Sequence, residues 1–364
     1  MIENPFNIAR GKPLIIGSGL IALDIVINGD PRQPPRLWVG GTCGNVLTIL
    51  SYLKWQAYPV SRLNGDAASK HVMRDMARWG ICLDFARSQP RVDTPIVVQR
   101  ISQNSTGESS HKFLWNCPHC GSDLPGYKPV VASSAQEIAE RIGKPKVFFF
   151  DRVSRGTLLL AKASAKQGAL ITFEPSGVGD PNLFREALSI THILKYSHER
   201  KRQMSDFGSV DGPLLEIETL GREGLRYRRR LPSCNTSVWQ QLSAYPVTQV
   251  KDVVGSGDWC TAGIIHQLGQ KGLEGFQEIT TAQLHDALRF GQAMAAWNCR
   301  FEGARGGMYG VNKKTFKSEI LQIISGNDCK LVAPDTPSKK VKNVFRRICP
   351  GCRDKTKATS SVVG

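Results

Sequence analysis

The chain has 364 residues, 41% of them hydrophobic, and carries a formal net charge of +17. That length supports one large α/β core or two domains, and no run of about 18 apolar residues is present to form a membrane span. The first residues lack a basic stretch followed by an apolar one, so a secretory signal is not expected, and the 10 cysteines then read as reduced thiols or metal ligands of a cytoplasmic protein.

In chain order, residues 14–17 and 23–27 read as strands, and 44–56 and 67–79 as helices. Residues 94–100 and 109–115 have β character with polar alternation. With 24–38 they suit a small antiparallel sheet covering one side of a cleft. The continuous apolar run 146–150 has the pattern of a strand buried on both faces. A helix over 155–166 follows, then strands over 169–173, 191–195 and 214–219. This alternation implies βαβ units and a mostly parallel sheet with helices on both faces.

In such sheets ligands bind beyond the C-terminal ends of the strands. The residues there are Asp151-Arg152, Glu174-Pro175-Ser176, Tyr196-Ser197-His198-Glu199 and Gly221 to Gly224. All are polar or glycine-rich, as a phosphate-handling cleft requires. Arg152 and Arg155 are candidates for holding an anionic substrate, because guanidinium pairs bidentately with phosphate or carboxylate.

The segment Asp252-Val-Val-Gly-Ser-Gly-Asp258 runs directly into an apolar helix. Glycines there leave bare backbone N–H groups at a helix N-terminus, where they can hold a phosphate. Asp258 stands beside them, able to take a proton from a nucleophile. An anion cradle with a base is minimal equipment for phosphoryl transfer.

Seven segments in order resemble the PfkB, or ribokinase-like, family of sugar and nucleoside kinases. They are Gly17-Ser-Gly-Leu-Ile-Ala-Leu-Asp24, Val39-Gly-Gly-Thr-Cys-Gly-Asn45, Arg62-Leu-Asn-Gly-Asp66, Phe173-Glu-Pro-Ser176, Leu194-Lys-Tyr-Ser-His-Glu199, Thr219-Leu-Gly-Arg-Glu-Gly224 and the Asp252–Asp258 turn. The resemblance implies a three-layer α/β/α sandwich with a small β lid, formed from 24–38 and 92–116. The kinase domain would span 1–330, with a CxxC-containing insertion at about 103–130, and a basic tail would span 331–364.

It also implies ATP-dependent phosphorylation of a hydroxyl. Asp258 would be the general base, and the amides of Gly255, Ser256 and Gly257 the anion hole. Asp24, Gly41 and Asn45 would bind the acceptor. Thr219, Gly221 and Gly224 would line the nucleotide phosphates with Ser197, and Glu199 would hold Mg²⁺ through water. Asp252 and the Val254 carbonyl match positions that bind a monovalent cation such as K⁺, with 303–307 completing the site. Exposed lid strands in such kinases often pair into homodimers. Two positions depart from the family pattern: Glu174 replaces an aspartate and Ser197 an asparagine.

Cys117-Pro-His-Cys120 and Cys349-Pro-Gly-Cys352 are two CxxC knuckles, which together supply four thiolates for a structural Zn²⁺. The other cysteines (43, 82, 234, 260, 299 and 329) read as core residues. The charge calls for an anionic partner. With basic patches at 198–202, 226–230 and in the tail, it opens a second reading: a kinase-derived protein that binds nucleic acid or a protein partner through its basic surface and zinc element.

Overall fold

A computed structural model describes residues 4–8, 11–27, 34–88, 92–103, 109–207, 212–230, 238–326 and 344–353. Its strands are β1 (Leu14–Ser18), β2 (Ala22–Ile27), β3 (Arg36–Gly40), β4 (Gln56–Leu63), β5 (Ala86–Ser88), β6 (Ile96–Gln103), β7 (Ser109–Leu114), β8 (Val147–Phe150), β9 (Leu170–Phe173), β10 (Ile193–Ser197), β11 (Leu215–Thr219), β12 (Leu225–Arg229) and β13 (Gln240–Leu242). Its helices are α1 (Thr42–Tyr52), α2 (Ala67–Arg78), α3 (Ala132–Arg141), α4 (Arg155–Lys166), α5 (Pro181–Ser189), α6 (His198–Lys201), α7 (Ser256–Leu268), α8 (Gly272–Gln277), α9 (Thr281–Asn298), α10 (Gly306–Gly310), α11 (Lys313–Ile324) and α12 (Val344–Ile348).

Among the described residues the main sheet has the order β13-β12-β11-β10-β9-β8-β1-β4-β5. It is parallel from β5 to β11, and β12 and β13 add an antiparallel edge. Every residue of β8 and β9 is buried, because helices cover both faces. Phe150 stacks on Phe173 with ring centroids 4.3 Å apart. On one face α1, α7 and α9 pack together, and on the other α3, α4 and α5. This is the α/β sandwich the sequence implied.

Local chemistry explains the helix starts. Ser154 caps α4 through Thr157 N, and Asp180 caps α5 ahead of Pro181. Thr280 and Gln283 form a reciprocal capping box on α9. α1 begins at 42 and ends at 52, inside the expected 44–56 at its C-terminal side.

The lid is a second sheet with the order β3-β2-β6-β7. One expectation needs correction: the lid is mixed, because β2 and β6 run parallel, with Asp24 opposite Val97. Polar alternation reports which face is wet and says nothing of strand direction. Residues 28–33, 104–108, 331–343 and 354–364, with Cys234 and Cys329, lie outside the described residues, so most of the expected basic tail does too. No described helix is long and apolar enough to cross a membrane.

Candidate active site

The parallel strands end in one crevice, and the turn before α7 faces it. Gly255 caps α7 in the left-handed region, at φ 77°. A Cβ there would lie 2.5 Å from Ala304 Cα, so both conformation and space call for glycine. The turn is braced by Asp252, which is fully buried. Its Oδ1 accepts from Val254 N and its Oδ2 from Gly303 N, each at 2.8 Å. The Ser256 amide donates to Val253 O at 3.2 Å. It closes the turn, and so one of the three amides named from the sequence is already engaged.

Asp258 sits in the first turn of α7, half-buried. Packing of α1 against α7 brings in Asn45, whose Nδ2 donates to Asp258 Oδ2 at 2.7 Å. Burial, reinforced by the Glu174 carboxylate, pushes Asp258 up to about 8, against the Asn45 hydrogen bond and the Lys195 charge. A carboxyl held there suits a general base working near neutrality.

Behind the turn lies a network not expected from the sequence. Lys195, on β10 and only 2% exposed, donates to Glu174 Oε1 at 2.8 Å and to Gly257 O at 3.3 Å. Thr261 Oγ1 donates to Glu174 Oε2 at 2.5 Å. Burial pushes the Lys195 ammonium down, but Glu174 together with Cys260 and Asp258 outweighs it and holds the lysine above its usual value. The signal was a lone lysine inside an otherwise apolar buried strand.

Asp151 follows β8, buried; the sequence placed it at a strand end without giving it a role. Its Oδ1 accepts from Leu20 N at 2.9 Å, and Arg152 Nη1 donates to its Oδ2 at 3.0 Å. Burial raises its pKa, with Arg152 opposing. Arg152 therefore reaches the crevice, where its guanidinium also lies over Tyr127. Arg155 does not join it. It is turned outward to Glu186 of α5, at 3.0 Å, a carboxylate it shares with Lys162.

Of the residues expected to bind an acceptor, Gly41 takes φ 79° against the Leu20 carbonyl, and the Asp24 carboxylate packs on Gly40. Burial raises Asp24 to about 7, with Arg305 opposing. Arg305 is buried and donates through Nε to Asn45 Oδ1 at 3.1 Å. Of the residues expected to line a nucleotide, Ser197 and Thr219 end neighbouring strands, and Gly221 and Gly224 take positive φ in the turn that follows. Glu199 is exposed on α6. The Val254 carbonyl accepts from Asn298 Nδ2 at 2.8 Å, while Asn298 Oδ1 is buried without a hydrogen-bond partner.

The two knuckles meet within one chain. Cys117 and Cys352 sulfurs are 3.7 Å apart, Cys120 and Cys349 3.6 Å, and all four lie within 4.8 Å of one another. The basic patch 226–230 is partly neutralised. Arg226 pairs with Glu218 and Arg228 with Glu216, and both guanidiniums lie over Trp239.

Residues 215–308 match the family model described as pfkB family carbohydrate kinase. No curated protein matches the chain. Among solved structures, a ribokinase from Arabidopsis thaliana complexed with ribose and ATP shares 19% identity over 86% of this chain and 99% of its own, with a TM-score of 0.62. A fructokinase with bound ATP from Xylella fastidiosa shares 16% over 86% and 99%, at 0.66. A nucleoside kinase from Burkholderia thailandensis in complex with inosine shares 18% over 86% and 97%, at 0.62. Residues 215–308 thus resemble the pfkB family carbohydrate kinases, and the chain as a whole shares the fold of these solved kinases.

Proposed function

We propose that the protein transfers the γ-phosphoryl group of ATP to a hydroxyl of a sugar, nucleoside or related small molecule. The observation that carries this reading is Asp258, hydrogen-bonded to Asn45 and standing at the helix start beside the Gly255 and Gly257 amides. Asp258 accepts the hydroxyl proton as the new O–P bond forms, and the two amides stabilise charge on the transferring group. Lys195, itself held by Glu174, donates to the Gly257 carbonyl and so steadies the helix start.

Asp24 is the acceptor's other anchor. Its carboxylate can accept two hydrogen bonds from neighbouring hydroxyls. Arg152 lies at the same crevice and favours an acceptor or nucleotide oxygen with negative charge. Thr219, Gly221 and Gly224 line the nucleotide, with Ser197 near the phosphates. The exposed carboxylate of Glu199 suits Mg²⁺, which retains much of its water and neutralises phosphate charge when bound. The orphaned Asn298 oxygen, close to Asp252 and Val254, fits a monovalent cation such as K⁺.

The cysteine cluster fits Zn²⁺. Thiolates 2.3 Å from a tetrahedral zinc lie about 3.8 Å apart, and a Cys₄ set leaves no open position for chemistry. The closest sulfur pairs match that spacing at 3.6 and 3.7 Å. The metal's role is to clip the segment after β7 to the C-terminal helix.

The test is incubation with a metabolite extract and γ-labelled ATP, with the phosphorylated product read by mass spectrometry. A labelled product that disappears with Asp258→Asn supports the assignment. Undiminished turnover in that variant refutes it. Absence of any acceptor, together with tight salt-sensitive nucleic-acid binding, would favour the binding-protein reading.

A further inference from the structure

We propose that Arg305 is a positioning residue for Asp258, acting through the side chain of Asn45. The proposal rests on the reading of Asp258 as the base for its catalytic meaning, and on the geometry alone for its structural content.

Arg305 follows the turn Gly303-Ala304 and is 2% exposed. Its side chain is fixed at both ends. Nη2 donates to Val39 O at 2.7 Å and to Asp75 Oδ2 at 2.9 Å. Asp75 is held in turn by the Tyr309 hydroxyl at 2.8 Å. A second donor of the fork, Nε, reaches Asn45 Oδ1 at 3.1 Å, while Nη1 is buried without a hydrogen-bond partner. These contacts join β3, α1 and α2 around one guanidinium.

The chemistry of the pair sets the direction of the amide. Guanidinium only donates, so the Asn45 group facing it must be the carbonyl oxygen. The NH₂ group is thereby turned toward Asp258, where it donates at 2.7 Å. Without Arg305 the amide is free to flip. A flipped Asn45 would set its oxygen against the Asp258 carboxylate, which favours the protonated acid and disables the base. The other charged groups facing Asp258 come from the strand ends: Glu174 after β9 and Asp151 after β8, which disfavour its charge, and Lys195 on β10, which favours it. None of them can orient the amide. Arg305 also opposes the raised pKa of Asp24, so one buried cation serves both carboxylates of the acceptor site.

The test is a ¹³C-carboxyl NMR titration of Asp258, its signal identified by loss in Asp258→Asn. It needs no acceptor, so failure of the kinase reading leaves it interpretable. Arg305→Lys keeps the charge and loses the Nε donor, and Arg305→Met loses both. Each is expected to move the Asp258 midpoint upward by about one pH unit. In an Asn45→Ala background, Arg305→Lys should produce no further change. In the unaltered protein, the Arg305 Nε–H signal should follow pH with the Asp258 midpoint, which keeps the test open should the variants fail to fold. A midpoint unmoved in the single variants, a shift equally large without Asn45, or an Nε–H signal indifferent to pH would each overturn the proposal. A merely structural role would change thermal stability and leave the midpoint in place.

Discussion

Lys195 and Glu174 form an ion pair at 2.8 Å immediately behind the turn that carries Asp258, and the same lysine donates to the Gly257 carbonyl. The pair joins two parallel strands to the start of α7. Breaking it leaves a buried charge uncompensated. Glu174→Ala is therefore expected to destabilise the protein by about 3–5 kcal/mol, whereas Glu174→Leu combined with Lys195→Met should recover much of the loss. Urea unfolding of the two variants checks this, and equal losses in both would refute it.

The pH dependence follows from Asp258, held at about 8. The base must be ionised, so kcat/KM should rise with pH through a midpoint near that value and level off above it. A profile already flat from pH 6 would contradict the assignment.

The same shift has a sign for stability. Asp258 binds its proton more tightly folded, at about 8, than at its ordinary 3.8. Between those values the native state carries the extra proton, so this group's contribution is full below pH 4 and is lost as pH rises through 8. Asp258→Asn should therefore melt higher than the parent protein at pH 9, with a smaller difference at pH 5. Calorimetry at the two pH values decides it.

Gly255 leaves little room for change. Gly255→Ala places a Cβ 2.5 Å from Ala304 Cα in a backbone region that disfavours side chains. A stability loss of about 1–3 kcal/mol and a larger loss of transfer rate are expected, because the anion hole shifts with the turn. Unchanged kinetics would show that the Gly255 amide does not contact the transferring group.

Metal analysis of the purified protein should find about one zinc per chain. Chelation, or Cys349→Ser, should lower the melting temperature and open the C-terminal segment to proteolysis. Full retention of both properties without metal would show that the four thiols pack unaided.

The parts of the candidate site that the sequence nominated were the local ones. Asp252 to Asp258, Thr219 to Gly224 and Glu199 each fall within a short segment whose glycines and carboxylates carry their own chemistry. Asn45 and Asp258, though 213 residues apart, were each named for separate reasons, but their hydrogen bond was not foreseeable. Thr261 meets Glu174 across 87 residues and Arg305 meets Asn45 across 260. Such contacts are made by strand order and helix packing, which no local pattern encodes. Arg152 and Arg155 show the limit from the other side. They are three residues apart, yet the start of α4 sends one to the crevice and the other to Glu186.

The four cysteines of the cluster come from positions 117 and 120 and from 349 and 352, on either side of the strand ends and the turn before α7, whereas Asp24, Gly41 and Asn45 precede both pairs. During synthesis the first pair emerges long before the second, so it can offer a metal only half a coordination sphere until residue 352 has left the ribosome. Closure of the cluster therefore waits on both knuckles, and so on a core that has brought residues 117–120 and 349–352 together.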